Sequence, residues 1–377
     1  MTLTDHLHLF KTGFPSNPES ALRGGEKIGL RNRMMCEVSA WCWELDEQVR
    51  TLASELGLRV ALMGGTAAQL RLELIEQRGS ADDDYLTDAT PDQVGRLMVA
   101  FAHRFKGFEA PYFRPERKVP RLPTPGLELL TYEVVVPSLL GHTDTTGLAK
   151  HVVKLEFHLT KAMPPTEDVT GEVFALEGPV TSTLPTLPHQ IALKLAALAV
   201  EPIGIPARRD HDIPKQIYDV DRLLQHLTGG GVWIDLGTAI NATLIGEAAK
   251  VGLDDEPPEI LDGMKGRLDQ WALVTDDKRL KELTRNAAAL TGQASRVGPI
   301  AWRGRARRIQ YALHCAYETD GAVLWAKATT EAARLAPDPA AGWREIGDRW
   351  RSERSTKPPP LLKAYPTELL FEYLATQ

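Results

Sequence analysis

The stretch "LMGGTAAQLRLELIEQRGSADDDYLT", residues 62–87, restricts the fold more than any other part of the chain. A short β-rich run, "LRVALMGG", stops at Gly64 and Gly65, and a helical pattern, "TAAQLRLELIEQ", follows at once. Two glycines between a strand and a helix let the backbone turn sharply and let a ligand approach it closely. Amide groups at the start of such a helix face an anion, and Thr66 sets a hydroxyl beside them. The spacing GxxxxGK[ST] does not occur here, so the turn is no P-loop. Taken alone, a Gly pair is more often a plain turn.

The segment after that helix, "DDDYLTD", reads as a second strand. On a strand Asp82 and Asp84 share one face and Asp83 takes the other. Two carboxylates about 6 to 7 Å apart along a strand can share divalent cations. Mg²⁺ in particular accepts a few carboxylates plus substrate phosphates. Further on, in "HVVKLEFHLT", Val153, Leu155 and Phe157 alternate with Lys154, Glu156 and His158. That period of two sets Glu156 on a polar strand face, where it can supply a third carboxylate. A solvated acidic turn and an exposed Glu paired with a cation are the plain alternatives for these acids.

The rest of the chain divides by texture. Residues 1–30 are polar and broken by Gly and Pro, and read as an irregular arm. From Arg33 to Leu56 apolar positions recur at helical spacing, with Gly57 as the cap. "PDQVGRLMVAFAHRF" is a helix opened by Pro91. "LELLTYEVVVPSL" is strand-like. Beyond "LEGPVTSTLPTLP" six helical stretches follow, among them "HQIALKLAALAV", "QIYDVDRLLQHL", "KRLKELTRNAAALTG" and the run that starts at "RARRIQ". The fold expected is α+β: a small mixed sheet flanked by helices in a domain over 1–180, then a mostly helical domain over 181–377, with a site between them.

Composition decides which partners are plausible. At 377 residues the chain suits two domains of ordinary size. Acidic residues number 50 against 44 Lys plus Arg, so binding to nucleic acid through bulk charge is excluded, though a local basic patch is not. Two such patches stand out. "HRFKGFEAPYFRPERKVPR" interleaves Arg104, Lys106, Arg114, Arg117, Lys118 and Arg121 with Phe105, Phe108, Tyr112 and Phe113. "WRGRARR" sets Arg303, Arg305, Arg307 and Arg308 beside Trp302. Charge with stacking rings is what RNA binding uses, and solvated basic surface is the alternative. Cys36, Cys42 and Cys315 are too few and scattered for a disulfide framework or a metal site. No signal peptide and no membrane span is visible, so the expected location is the cytoplasm.

Taken together, Gly64-Gly65-Thr66-Ala67, then Arg78-x-Ser80-x-Asp82-x-Asp84, then a strand of the form hhKhEh at Glu156, resemble the nucleotidyltransferase superfamily that includes DNA polymerase β. The likeness is to its AbiEii branch, the toxin component of type IV toxin–antitoxin systems, which includes the MenT toxins. Members of that branch carry a helix with an inward Lys and then an Arg-Asp-x-x-Asp element. Here "HQIALKLAAL" supplies Lys194, and "RRDHDIPKQIYDVDRLL" supplies Arg209, Asp210 and Asp219. Either Asp210 or Asp219 aligns with the second acidic role. A Lys on an Ala/Leu helix can also lay its stem along apolar surface and keep its ammonium in water.

The resemblance implies a minimal nucleotidyltransferase core that moves an NMP from an NTP to an acceptor. It implies Asp82, Asp84 and Glu156 as ligands of two Mg²⁺ (or Mn²⁺), with Gly64, Gly65, Thr66, Arg78 and Ser80 around the nucleotide. Lys194 offsets triphosphate charge in that scheme. The implied acceptor is the 3′ end of tRNA, with a cognate antitoxin as partner. Other acceptors remain open, namely a small antibiotic-like molecule or a protein side chain, as does a non-catalytic NTP-binding role. The basic patches favour RNA.

Overall fold

A computed structural model of the chain describes residues 3–119, 129–143, 147–253, 257–272, 299–354, 356–359, 362–363 and 365–376. It is a mixed α+β structure that divides at Thr186/Leu187 into two units, each described in turn. The expected helix at "KRLKELTRNAAALTG" lies outside the described residues.

The first unit is built on a five-stranded sheet of order β1-β2-β5-β4-β3. Its strands are β1 (Val60–Met63), β2 (Asp82–Thr87), β3 (Glu116–Lys118), β4 (Leu129–Pro137) and β5 (Lys150–Leu159). β2 runs parallel to β5 and antiparallel to β1. β4 runs antiparallel to both β5 and β3. On β5, Val153, Leu155 and Phe157 turn to the core, which leaves Lys154, Glu156 and His158 on the other face. Because β5 strictly alternates, one buried face fixes the register of the whole polar face.

The core under the sheet is supplied by helices. After α1 (Glu19–Lys27), α2 (Arg33–Glu55) is capped by the side chain of Asn32, which accepts from the Met35 amide. Trp41, Trp43, Leu45 and Val49 of α2 join Tyr85, Leu155 and Phe157 in one apolar cluster. α3 (Gly64–Gln69) and α4 (Pro91–Arg104) complete this layer, and α4 starts in a capping box made by Thr90 and Gln93.

Three sequence expectations need correction in this unit. Residues 1–30 are not an irregular arm, because two 3₁₀ turns and α1 occur there, and Phe10 and Phe14 insert against Trp41. The helix that opens at the Gly pair ends at Gln69 rather than running to Gln77. Gln77 is buried, and its amide donates to the carbonyls of Gln69 and Leu72, which draws the chain out of the helix. A hairpin, β6 (Thr166–Glu172) with β7 (Pro179–Pro185), sits where only a change of texture was read. Its Thr, Asp, Glu and Pro residues are mostly exposed and carry little apolar alternation.

The second unit is helical among its described residues. It contains α5 (Leu187–Ala196), α6 (Ile213–Gln225), α7 (Gly230–Lys250), α8 (Pro257–Ala272), α9 (Pro299–Cys315), α10 (Gly321–Leu335), α11 (Pro339–Glu353) and α12 (Pro366–Ala375). Partly buried ion pairs tie α9 to its neighbours. Arg308 grips Asp221 of α6 through two bonds of 2.6 and 3.0 Å, and Arg303 grips Glu372 of α12 through two of 2.8 Å. No helix among the described residues is long and apolar enough to cross a membrane.

Candidate active site

The parallel pairing of β2 with β5 sets Asp84 directly beside Glu156, and Asp82 beside Lys154. Asp82, Asp84 and Glu156 therefore lie on one face of the sheet, while Asp83 turns the other way and is 0% exposed. Burial, then the neighbouring Asp84 carboxylate, raise the pKa of Glu156 above its ordinary value. Asp82 adds to this repulsion from farther off. Asp83, turned into the core, has its pKa raised well above the ordinary value, first by burial and then by the Asp46 carboxylate.

A further side chain joins this group. His158 follows Glu156 by two residues on the same face, with its Nε2 3.9 Å from Asp84 Oδ1. One ligand atom each from Asp84, Glu156 and His158 lie within 4.8 Å of one another. Asp82 stands one pleat before this trio, and its carboxylate accepts from the Ser80 hydroxyl at 3.2 Å. His158 went unremarked as a ligand in the sequence, although the alternation of "KLEFHL" already set it on the face of Glu156. Thr131 of β4 pairs with Glu156 in register and donates its hydroxyl to that carboxylate at 3.4 Å.

The Gly pair is shaped by what lies against it. Gly64 has φ +74°, a left-handed conformation open to glycine, and a methyl there would stand 2.1 Å from Asp84 Oδ2. A methyl on Gly65 would stand 2.5 Å from the Arg78 guanidinium. The first turn of α3 thus rests on a carboxylate on one side and a buried cation on the other. Thr66 and Ser80 brace the strand. Both hydroxyls donate to the Asp82 carbonyl, at 2.9 and 3.2 Å. Ser80 is further pinned to α2, since its amide donates to Ser39 Oγ at 3.0 Å.

In the second unit, Lys194 of α5 donates to Asp219 of α6 at 2.7 Å. Lys194 is 4% exposed and Asp219 0%, so the ammonium is not the solvated head that an Ala/Leu helix allows. Packing between α5 and α6 encloses it, and the carboxylate compensates its lost hydration. Asp210 is placed elsewhere, against Arg267 at 3.2 Å, and Arg209 bonds Asp212 at 2.8 Å. Of the two acids that the sequence aligned, Asp219 is the one brought to Lys194.

Among the described residues, Phe105, Phe108, Phe113 and Trp302 of the two basic patches are buried and form no exposed stacking platform. Phe105, Phe108 and Phe113 are buried in the apolar cluster with Phe10 and Trp41. Arg104 bonds Glu55 and Gln48, Arg114 caps the carbonyls of Ala102, Lys106 and Phe108, and Lys118 pairs with Glu116 and Glu133. Arg121 lies outside the described residues. In the second patch Trp302 is 1% exposed, Arg305 and Arg308 face Asp221, and Arg307 bonds Glu372 and Asp269. Aromatic area buried in a core outweighs its use at a surface. The cysteines Cys36, Cys42 and Cys315 are buried free thiols.

Comparison with known proteins places the family and the fold. The family model described as "Nucleotidyl transferase AbiEii toxin, Type IV TA system" matches residues 49–313. Among solved structures, the fold is similar to MenT4, a nucleotidyltransferase toxin from Mycobacterium tuberculosis H37Rv. The TM-score is 0.50 at 16% identity, over 82% of this chain and 92% of that one. At that identity the likeness concerns the fold alone. No curated protein sequence matches.

Proposed function

Since the chain belongs to the AbiEii family of nucleotidyl transferase toxins of type IV toxin–antitoxin systems, we propose that it transfers an NMP from an NTP to the 3′ end of tRNA, in a Mg²⁺-dependent reaction that blocks translation. The observation that carries this reading is the packing of Asp84 against Gly64, with Glu156 one strand away. That arrangement sets anionic metal ligands beside a turn whose amides suit phosphate.

The residues present fit a divalent cation. Oxygen donors are gathered on one strand face, and burial, then the Asp84 carboxylate, raise the pKa of Glu156, a cost of ionisation that a cation relieves. Asp82, Asp84 and Glu156 would hold it. Two such ions, if bound there, would favour the ionised acceptor hydroxyl and offset the charge of the leaving pyrophosphate.

The chain's own residues do the rest. The amides of Gly64 and Gly65 orient the triphosphate, with the Arg78 guanidinium beneath Gly65 adding positive potential. Thr66 and Ser80 hold the backbone of Asp82 so that its carboxylate keeps its place. Lys194, oriented by Asp219, supplies a cation to the phosphates. Asp219 takes the downstream acidic role, and Asp210 serves Arg267. In the transfer the acceptor oxygen bonds the α-phosphorus, the bond to the β-phosphate oxygen breaks, and the hydroxyl proton passes to solvent. A cognate antitoxin and a cytoplasmic location belong to the same proposal.

Most described cations of the two basic patches are paired with acids or carbonyls, while Lys106 and Arg117 stay exposed, so the main support for tRNA as acceptor is family membership. The purified chain is to be incubated with Mg²⁺, each labelled NTP in turn, and total RNA with intact or periodate-oxidised 3′ ends. Label that enters the tRNA band and disappears on oxidation supports the reading. Label found on a small molecule or a protein instead overturns the tRNA acceptor and leaves the transferase.

A further inference from the structure

Three ligand atoms converge on the polar face of β2 and β5, and one of them is nitrogen. Asp84 and Glu156 are adjacent in register, and His158 lies two residues along β5 with its side chain 23% exposed. Their ligand atoms are mutually within 4.8 Å. An ion holding its ligands at about 2.1 Å leaves adjacent donors about 3 Å apart and opposite ones about 4.2 Å. The trio therefore needs only small rotations to close on one ion.

We propose that His158 is a protein ligand of one metal position, and that this imidazole makes the site prefer Mn²⁺ to Mg²⁺. The inference rests on the carboxylate metal site proposed above and adds to it a ligand and a selectivity. Mg²⁺ keeps oxygen ligands and several waters, and gains little from an imidazole. Imidazole suits borderline transition ions, and Mn²⁺ accepts carboxylate and imidazole together. The other use of His158, an ion pair with Asp84, asks nothing of a metal and predicts no nitrogen on the ion.

The test uses the full chain titrated with MnCl₂ and followed by electron paramagnetic resonance, with MgCl₂ as competitor. Pulsed measurements then read ¹⁴N coupling to bound Mn²⁺. The wild type is expected to show coupling to one imidazole nitrogen. His158→Gln should lose that coupling and bind Mn²⁺ on the order of 10- to 100-fold more weakly. Its Mg²⁺ affinity should change by less than about threefold, since Mg²⁺ replaces the lost nitrogen with water. Circular dichroism checks that the variant folds. Mn²⁺ bound by the wild type without nitrogen coupling, or coupling that survives in His158→Gln, overturns the role of His158. Either result leaves the carboxylate site standing if Glu156→Gln abolishes binding. A wild type that binds no Mn²⁺ sinks both.

Discussion

Replacing Lys194 by Met removes an ammonium that faces Asp219 at 2.7 Å, with both groups buried. The Met stem refills most of the volume, so the change is mainly electrostatic. Deleting one member of a buried pair costs about 3–5 kcal/mol, because the remaining charge stays buried without it. Lys194→Met should lose stability on that scale, and Asp219→Leu should lose a similar amount. The double variant should return to within about 1 kcal/mol of wild type, since an apolar pair of like volume carries no stranded charge. Activity should behave differently. Loss of one preorganised cation costs on the order of 10²- to 10³-fold in transfer, and the double variant should not regain it. Urea denaturation followed by circular dichroism reads the first quantity, and label transfer reads the second. A Lys194→Met protein as stable as wild type would refute the buried pair. Recovery of turnover in the double variant would refute the role of this charge in the reaction.

Other outcomes follow from the same site. Gly64→Ala should nearly abolish transfer while the protein still folds, because the methyl meets Asp84 Oδ2 at 2.1 Å and the backbone sits at φ +74°; wild-type turnover would show that Asp84 need not hold its place. Asp82→Ala and Asp84→Ala should be inactive and Asp83→Ala mostly active, since the middle carboxylate points into the core; equal loss in all three contradicts the strand model. The helical unit should be acid-labile. Burial alone raises the Asp221 carboxyl, but Arg308 and then Arg305 outweigh it and hold its pKa below the ordinary value. A depressed folded pKa gives stability that is present above the usual carboxylate range and is lost as pH falls below about 4. Thermal melts of wild type and Asp221→Asn should therefore converge toward low pH, and a constant gap would contradict this.

The legible parts of the fold were those where burial writes a period into the sequence. β5 alternates strictly, so Glu156 and its face could be placed from residues alone, and α2 shows its helical stripe from Val38 to Leu52, although Met34, where the apolar pattern starts in the sequence, is exposed. The hairpin β6–β7 escaped because its strands are largely exposed and leave no apolar signature. α3 ended early because of Gln77, a tertiary contact that no local propensity reports. The inward turn of the second basic patch was illegible for a related reason. Its arginines look solvated in sequence, yet their partners Asp221, Asp269 and Glu372 lie about 40 to 90 residues away along the chain. The Lys194–Asp219 pairing was half legible: the family resemblance offered two acids, and packing brings one of them to Lys194.

The most direct test of the central claim is nucleotide incorporation by the purified chain and by its Asp84→Asn variant. Each is to be incubated with a divalent cation, labelled NTPs and total RNA. The wild type should release pyrophosphate and leave label on an acceptor. Asp84→Asn should fold with an unchanged circular dichroism spectrum and transfer nothing measurable. Equal incorporation by the two proteins would contradict the account, because the carboxylate set between Gly64 and Glu156 would then have no part in the chemistry.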